Sequence, residues 1–130
     1  MDRLILPDSN IYIDAFRADV DPFQLFERHT DTCEFATSGM IMLEVCRGLR
    51  DPALLRRIHD RFSVMIYLPT TNVIWERALH LAGAMDRQRR TIPAQDHLIA
   101  ATALQVGATV LTRDKHFQSI PGLKVTDRLE

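Results

Sequence analysis

Short, wholly apolar runs alternate along the chain with longer stretches whose apolar residues recur at helical spacing, and this order predicts an α/β domain. Leu4-Ile5-Leu6 before Pro7 reads as a first strand. Asp8-Ser9-Asn10 then opens a helix with Ile11, Tyr12, Ala15 and Phe16 on one face. Asp21-Pro22 starts a second helix carrying Phe23, Leu25 and Phe26, and Glu34-Phe35-Ala36-Thr37 is a short strand. Residues 40–49 read as helix, with Ile41, Leu43, Val45 and Leu49 apolar and Glu44, Arg47 and Arg50 spaced by three on one flank. Asp51-Pro52 supplies a cap and a first-turn proline for the next helix.

Residues 64–68 form a continuous apolar run ended by Pro69, the pattern of a strand buried on both faces of a parallel sheet. Thr70 or Thr71 caps the longest helix, residues 72–90, which closes on Asp86, Arg87, Arg89 and Arg90. Pro93 opens a helix over residues 94–106, Gly107 ends it in the left-handed conformation, and residues 109–112 form a strand. Ile120-Pro121-Gly122 turns into a last strand, Lys124-Val125-Thr126. The expected architecture is one domain over residues 1–130, a central, mainly parallel twisted sheet flanked by helices.

Composition narrows the function. With 46% hydrophobic and 25% charged residues, disorder is excluded as the main state. No apolar stretch approaches the ~20 residues of a membrane span, and Leu4-Ile5-Leu6-Pro7 is too short for a signal-peptide core, so a cytoplasmic chain is expected. Cys33 and Cys46 lack CxxC spacing, which argues against a disulfide. A net charge of -1 excludes a wholly basic nucleic-acid binder and leaves only a local patch.

Ligands of open α/β sheets sit at the carboxyl ends of the strands. Asp8 follows the first strand and Asp114 a late one, Asp96 lies in the first turn of its helix, and Glu44 lies on a mostly apolar helix. Each has a plain structural role: Asp8 as helix cap, Asp96 as a dipole-favoured acid, Glu44 paired with Arg47, Asp114 in a turn. Convergence of all four on one edge argues for a site. Two carboxylates ~4 Å apart repel by about 4 kcal/mol at an effective dielectric of about 20, so such a cluster recruits cations or protons. All-oxygen ligands favour Mg²⁺ or Mn²⁺, and metal-activated water hydrolyses phosphodiesters without a serine or histidine nucleophile.

The order and spacing of these pieces carry a family resemblance. Leu4-Ile5-Leu6-Pro7-Asp8-Ser9-Asn10, Glu44-Val45-Cys46-Arg47-Gly48, Asp96-His97-Leu98-Ile99-Ala100-Ala101-Thr102-Ala103, Thr112-Arg113-Asp114-Lys115-His116-Phe117 and Ile120-Pro121-Gly122-Leu123 follow one another along nearly the whole chain. Together they resemble PIN-domain ribonucleases, closely the VapC-type toxins of bacterial and archaeal toxin–antitoxin pairs. The resemblance implies a PIN fold and RNA cleavage dependent on Mg²⁺ or Mn²⁺. It makes Asp8, Glu44, Asp96 and Asp114 the catalytic, metal-binding acids, with Asp8 and Asp96 foremost as ligands, and Asn10 and Thr112 supporting residues. It further implies a small antitoxin that blocks the site, and a homodimer. Ser9 stands where Thr is commoner, and His116-Phe117 replaces the usual fifth acid, so a second ion lacks one of its usual ligands.

Arg87, Arg89 and Arg90 form the densest basic group and suit RNA phosphates, or serve equally as a solvated helix end. His116, two residues past Asp114, reads as a surface histidine in preference to a substrate contact, and Trp75, Phe23 and Phe26 as core or dimer contacts in preference to base-stacking platforms. Two other readings compete. A phospho-acceptor receiver or aspartyl-phosphate phosphohydrolase is opposed by Asn10, which stands where a phosphatase of that kind has a second Asp. A non-catalytic PIN-like binding module is opposed by the presence of all four acids.

Overall fold

Strands and helices alternate through the whole of the computed structural model, which describes residues 3–129. β1 (Arg3–Pro7) leads into α1 (Ser9–Arg17) and α2 (Pro22–Glu27); β2 (Cys33–Ser38) leads into α3 (Gly39–Cys46) and α4 (Pro52–Phe62). β3 (Ile66–Leu68) precedes α5 (Asn72–Arg87) and α6 (Ala94–Val106), and β4 (Thr109–Leu111) passes through a 3-10 turn, Lys115–Ser119, to β5 (Lys124–Thr126). The strands form one five-stranded sheet in the order β3-β2-β1-β4-β5, with every pairing parallel. The chain therefore builds outward from β1 on one side and then returns to its other side with β4, which places the topological switch point between β1 and β4.

Local chemistry sets the element boundaries. Asp21 and Asp51 accept the backbone N–H of Phe23 and Ala53 ahead of first-turn prolines, and Thr71 accepts that of Ile74. Gly107, at φ 70°, ends α6 as expected. α5 stops at Arg87, short of the expected 90, because Arg89 turns into the left-handed region at φ 60°. The N–H of Arg89 then bonds the Asp86 carbonyl and that of Arg90 the Met85 carbonyl, a Schellman closure.

The core lies on both faces of β1 and β4, where Ile5, Leu6 and Val110 are fully buried. On one side Tyr12, Phe23, Phe26 and Phe62 pack ring against ring, Tyr12 and Phe62 at 5.0 Å between centroids. On the other side α6 is buried continuously from Asp96 to Ala103 and packs on α5. A helix enclosed on all sides carries even its first-turn carboxylate out of water.

One expectation fails. The apolar run 64–68 yields only a three-residue strand at the sheet's edge, with Ile66 39% and Tyr67 56% exposed, because β2 is its one neighbour. Of the residues expected as core or dimer contacts, Phe23 and Phe26 are core, and Trp75 stands 52% exposed on α5, which leaves it the dimer-contact alternative. No helix among the described residues is long and apolar enough to cross a membrane.

Candidate active site

The switch point assembles the site from both ends of the chain. Pro7 pairs with Leu111, and the Asp8 N–H continues the ladder by donating to the Leu111 carbonyl at 2.8 Å, so the residues just beyond β1 and β4 meet. Thr112 is the hinge of that meeting. Its hydroxyl donates to Asp8 Oδ2 at 3.0 Å while accepting from Asn10 Nδ2 at 3.2 Å and from the Asp114 N–H at 3.0 Å. A hydroxyl has one proton and two lone pairs, so this buried oxygen is fully used.

Asp8 caps α1 through the Ser9 N–H, at 2.8 Å, and faces the site at once, so capping and site membership do not compete. Burial to 4% exposure is the largest influence on its carboxyl and pushes it up to about 6. Asp96 and Asp114 add to the rise, and the bonds from Ser9 and Thr112 oppose it. Asp96 is raised by burial first, with Asp114 adding to that. Pro93 gives α6 no side-chain cap, and Asp96 occupies its first turn. Glu44, on α3, is also raised, by burial and then by Asp8 and Asp96, against Arg47 and the Ser9 side chain. The expected Glu44–Arg47 pairing is thus felt electrostatically, although among the described residues the Glu44 Oε1 atom is buried without a hydrogen-bond partner.

Asp8, Glu44, Asp96 and Asp114 therefore share one field, and Asn10 and Thr112 sit at the junction between them. The arginines stand apart. Arg87, Arg89 and Arg90 lie exposed at the end of α5 and make no ion pair among the described residues.

His116 is exposed, as expected, and it also faces the acids. Its Nδ1 lies 3.1 Å from Asp96 Oδ2 and 3.1 Å from Asp114 Oδ1. The cause is local: Asp114 Oδ1 accepts the His116 N–H at 2.9 Å, which folds the 3-10 turn back over the acids. The sequence signal was a histidine two residues past an acid at a strand end, meaningful only once the turn is known. Ligand atoms of Asp96, Asp114 and His116 lie within 4.8 Å of one another. Among the described residues Asp8 and Glu44 stand outside that group and are tied to it through its field, their carboxyls raised by burial first and by neighbouring acids second; three clustered donors beside two further acids fit a divalent cation.

Comparison with known proteins gives the family and the fold. The chain matches the PIN domain family over residues 5–123. It is 31% identical over 121 residues to Ribonuclease VapC19 of Mycobacterium tuberculosis (strain CDC 1551 / Oshkosh), covering 92% of this chain and 96% of that one. The fold is similar to VapBC2 from Rickettsia felis bound to a DNA fragment from their promoter, with TM-score 0.80, 20% identity, and 95% and 97% of the two chains covered. It is also similar to a toxin-antitoxin complex from Klebsiella pneumoniae, with TM-score 0.72, 26% identity, and 94% and 95% covered.

Proposed function

The chain belongs to the PIN-domain family and, within it, to the VapC-type ribonucleases, and from that premise we propose that it is an endoribonuclease in which Asp8, Glu44, Asp96 and Asp114 hold Mg²⁺ or Mn²⁺. The observation that carries this reading is the common field of four carboxylates drawn from four distant segments to one sheet edge. A divalent cation held there supplies charge neutralisation and Lewis acidity to water and to a phosphoryl oxygen.

The chain's own residues do the positioning. Thr112 and the Ser9 N–H fix Asp8 from two sides, and Asn10 fixes Thr112. Asp96 and Asp114 present oxygens on either side of His116 Nδ1. Glu44 Oε1, partnerless among the described residues and with its proton affinity raised, accepts the proton of the attacking water. The unpaired Arg87, Arg89 and Arg90 contact RNA phosphates outside the acidic centre. One PIN domain spans residues 1–130 and acts in the cytoplasm as the toxin of a toxin–antitoxin pair. A small antitoxin covers the site, a reading supported by the Klebsiella pneumoniae complex, and the toxin is a homodimer.

The test is cleavage of cellular RNA by purified protein with Mg²⁺ or Mn²⁺, with RNA ends sequenced after induction in cells. Asp8→Asn and Asp96→Asn are each expected to lower cleavage by on the order of 100-fold or more with the fold intact. Undiminished cleavage in either variant, or in excess chelator, defeats the assignment.

A further inference from the structure

We propose that His116 Nδ1 is itself a ligand of the cation, beside Asp96 and Asp114, and that this nitrogen makes the site prefer Mn²⁺ to Mg²⁺. The inference rests on the cation reading above and adds a ligand and a selectivity to it. Its basis is the placement of three donor atoms. Nδ1 stands 3.1 Å from an oxygen of Asp96 and 3.1 Å from an oxygen of Asp114. The contact with Asp96 is a hydrogen bond, and because six-coordinate cations with bonds of about 2.1 Å set neighbouring donors about 3 Å apart, the same spacing suits adjacent ligands around one ion that takes the place of the shared proton.

The ring is held there by the turn. Asp114 caps the turn at the His116 N–H, Ser119 Oγ donates to the His116 carbonyl at 2.9 Å, and the next residue, Phe117, is fully buried as a peg. The backbone of the turn is thereby fixed, and its imidazole stands between Asp96, from α6, and Asp114, the cap of its own turn. Mg²⁺ strongly favours oxygen ligands, whereas imidazole nitrogen suits cations further along the first transition row, among which Mn²⁺ also accepts carboxylates.

The experiment titrates Mn²⁺ and Mg²⁺ separately into metal-free full-length protein and into His116→Ala and His116→Gln, and records pulsed electron paramagnetic resonance of the bound Mn²⁺. The expected result is a directly coordinated ¹⁴N in the parent protein that vanishes in both variants. Mn²⁺ affinity should fall about tenfold or more and Mg²⁺ affinity by less than about threefold. Bound Mn²⁺ without nitrogen coupling, or coupling that survives in both variants, overturns the ligand and leaves the cation site standing. Equal losses for the two cations overturn the preference. Absence of any Mn²⁺ binding overturns both this inference and the reading beneath it.

Discussion

Thr112 concentrates more of the site's order than any acid does, because its one hydroxyl ties Asp8, Asn10 and the Asp114 backbone together. Thr112→Val keeps the shape and strands those three partners, so cleavage should drop by about 10- to 100-fold and unfolding free energy by about 1 to 3 kcal/mol. Thr112→Ser should retain most of both; kinetics and urea denaturation decide. The raised acids give a second outcome. Asp8 holds its proton up to about 6 when folded, against 3.8 ordinarily. Below about pH 3.8 this mismatch has no effect; as pH rises toward and past 6 the metal-free fold loses on the order of 3 kcal/mol from Asp8 alone. Glu44 and Asp96 shift in the same direction. In chelator the melting temperature should therefore be higher at pH 5 than at pH 8, and Mn²⁺ or Mg²⁺ should restore it most at pH 8. A melting temperature indifferent to pH contradicts the assigned burial.

Among the elements, the end of α5 combines strain with charge. Arg89 occupies a left-handed position that glycine fills more comfortably, as Gly107 does at the end of α6. Arg89→Gly should raise stability by about 1 kcal/mol in chemical denaturation while weakening RNA binding and reducing its salt dependence by about one counterion. Unchanged RNA affinity would remove Arg89 from the binding surface. Helix limits were legible wherever a cap or breaker marks them: Asp21-Pro22, Asp51-Pro52 and Gly107 fall where the chain turns. β3 misled because an apolar run looks the same in a central strand and in an edge strand, and only the pairing order tells them apart. Asp8 and Asp114 stood out by their places after strands, Asp96 by its place at a helix start and Glu44 as a carboxylate on a mostly apolar helix. His116 did not, because its role depends on the 3-10 turn that Asp114 caps.

At the scale of the whole molecule, the switch between β1 and β4 explains why Asp8 and Asp114, far apart in the chain, stand together. The net charge is -1, so RNA affinity has to come from a local group rather than from the overall field. Arg87→Ala combined with Arg90→Ala should weaken RNA binding uniformly across sequences and lower the salt slope by about two, read by titration at several salt concentrations. A slope equal to the parent's would move the phosphate contacts elsewhere.

The bond from Thr112 to Asp8 spans 104 positions of the chain. During synthesis Asp8 leaves the ribosome first, and its partner hydroxyl follows only after the other helices and strands between them have been made. A ribosome interrupted before β4 would thus release a polypeptide that lacks Thr112 and Asp114 and leaves Asp8 without its partner hydroxyl. The site is complete only once translation has passed β4 and the turn that follows it.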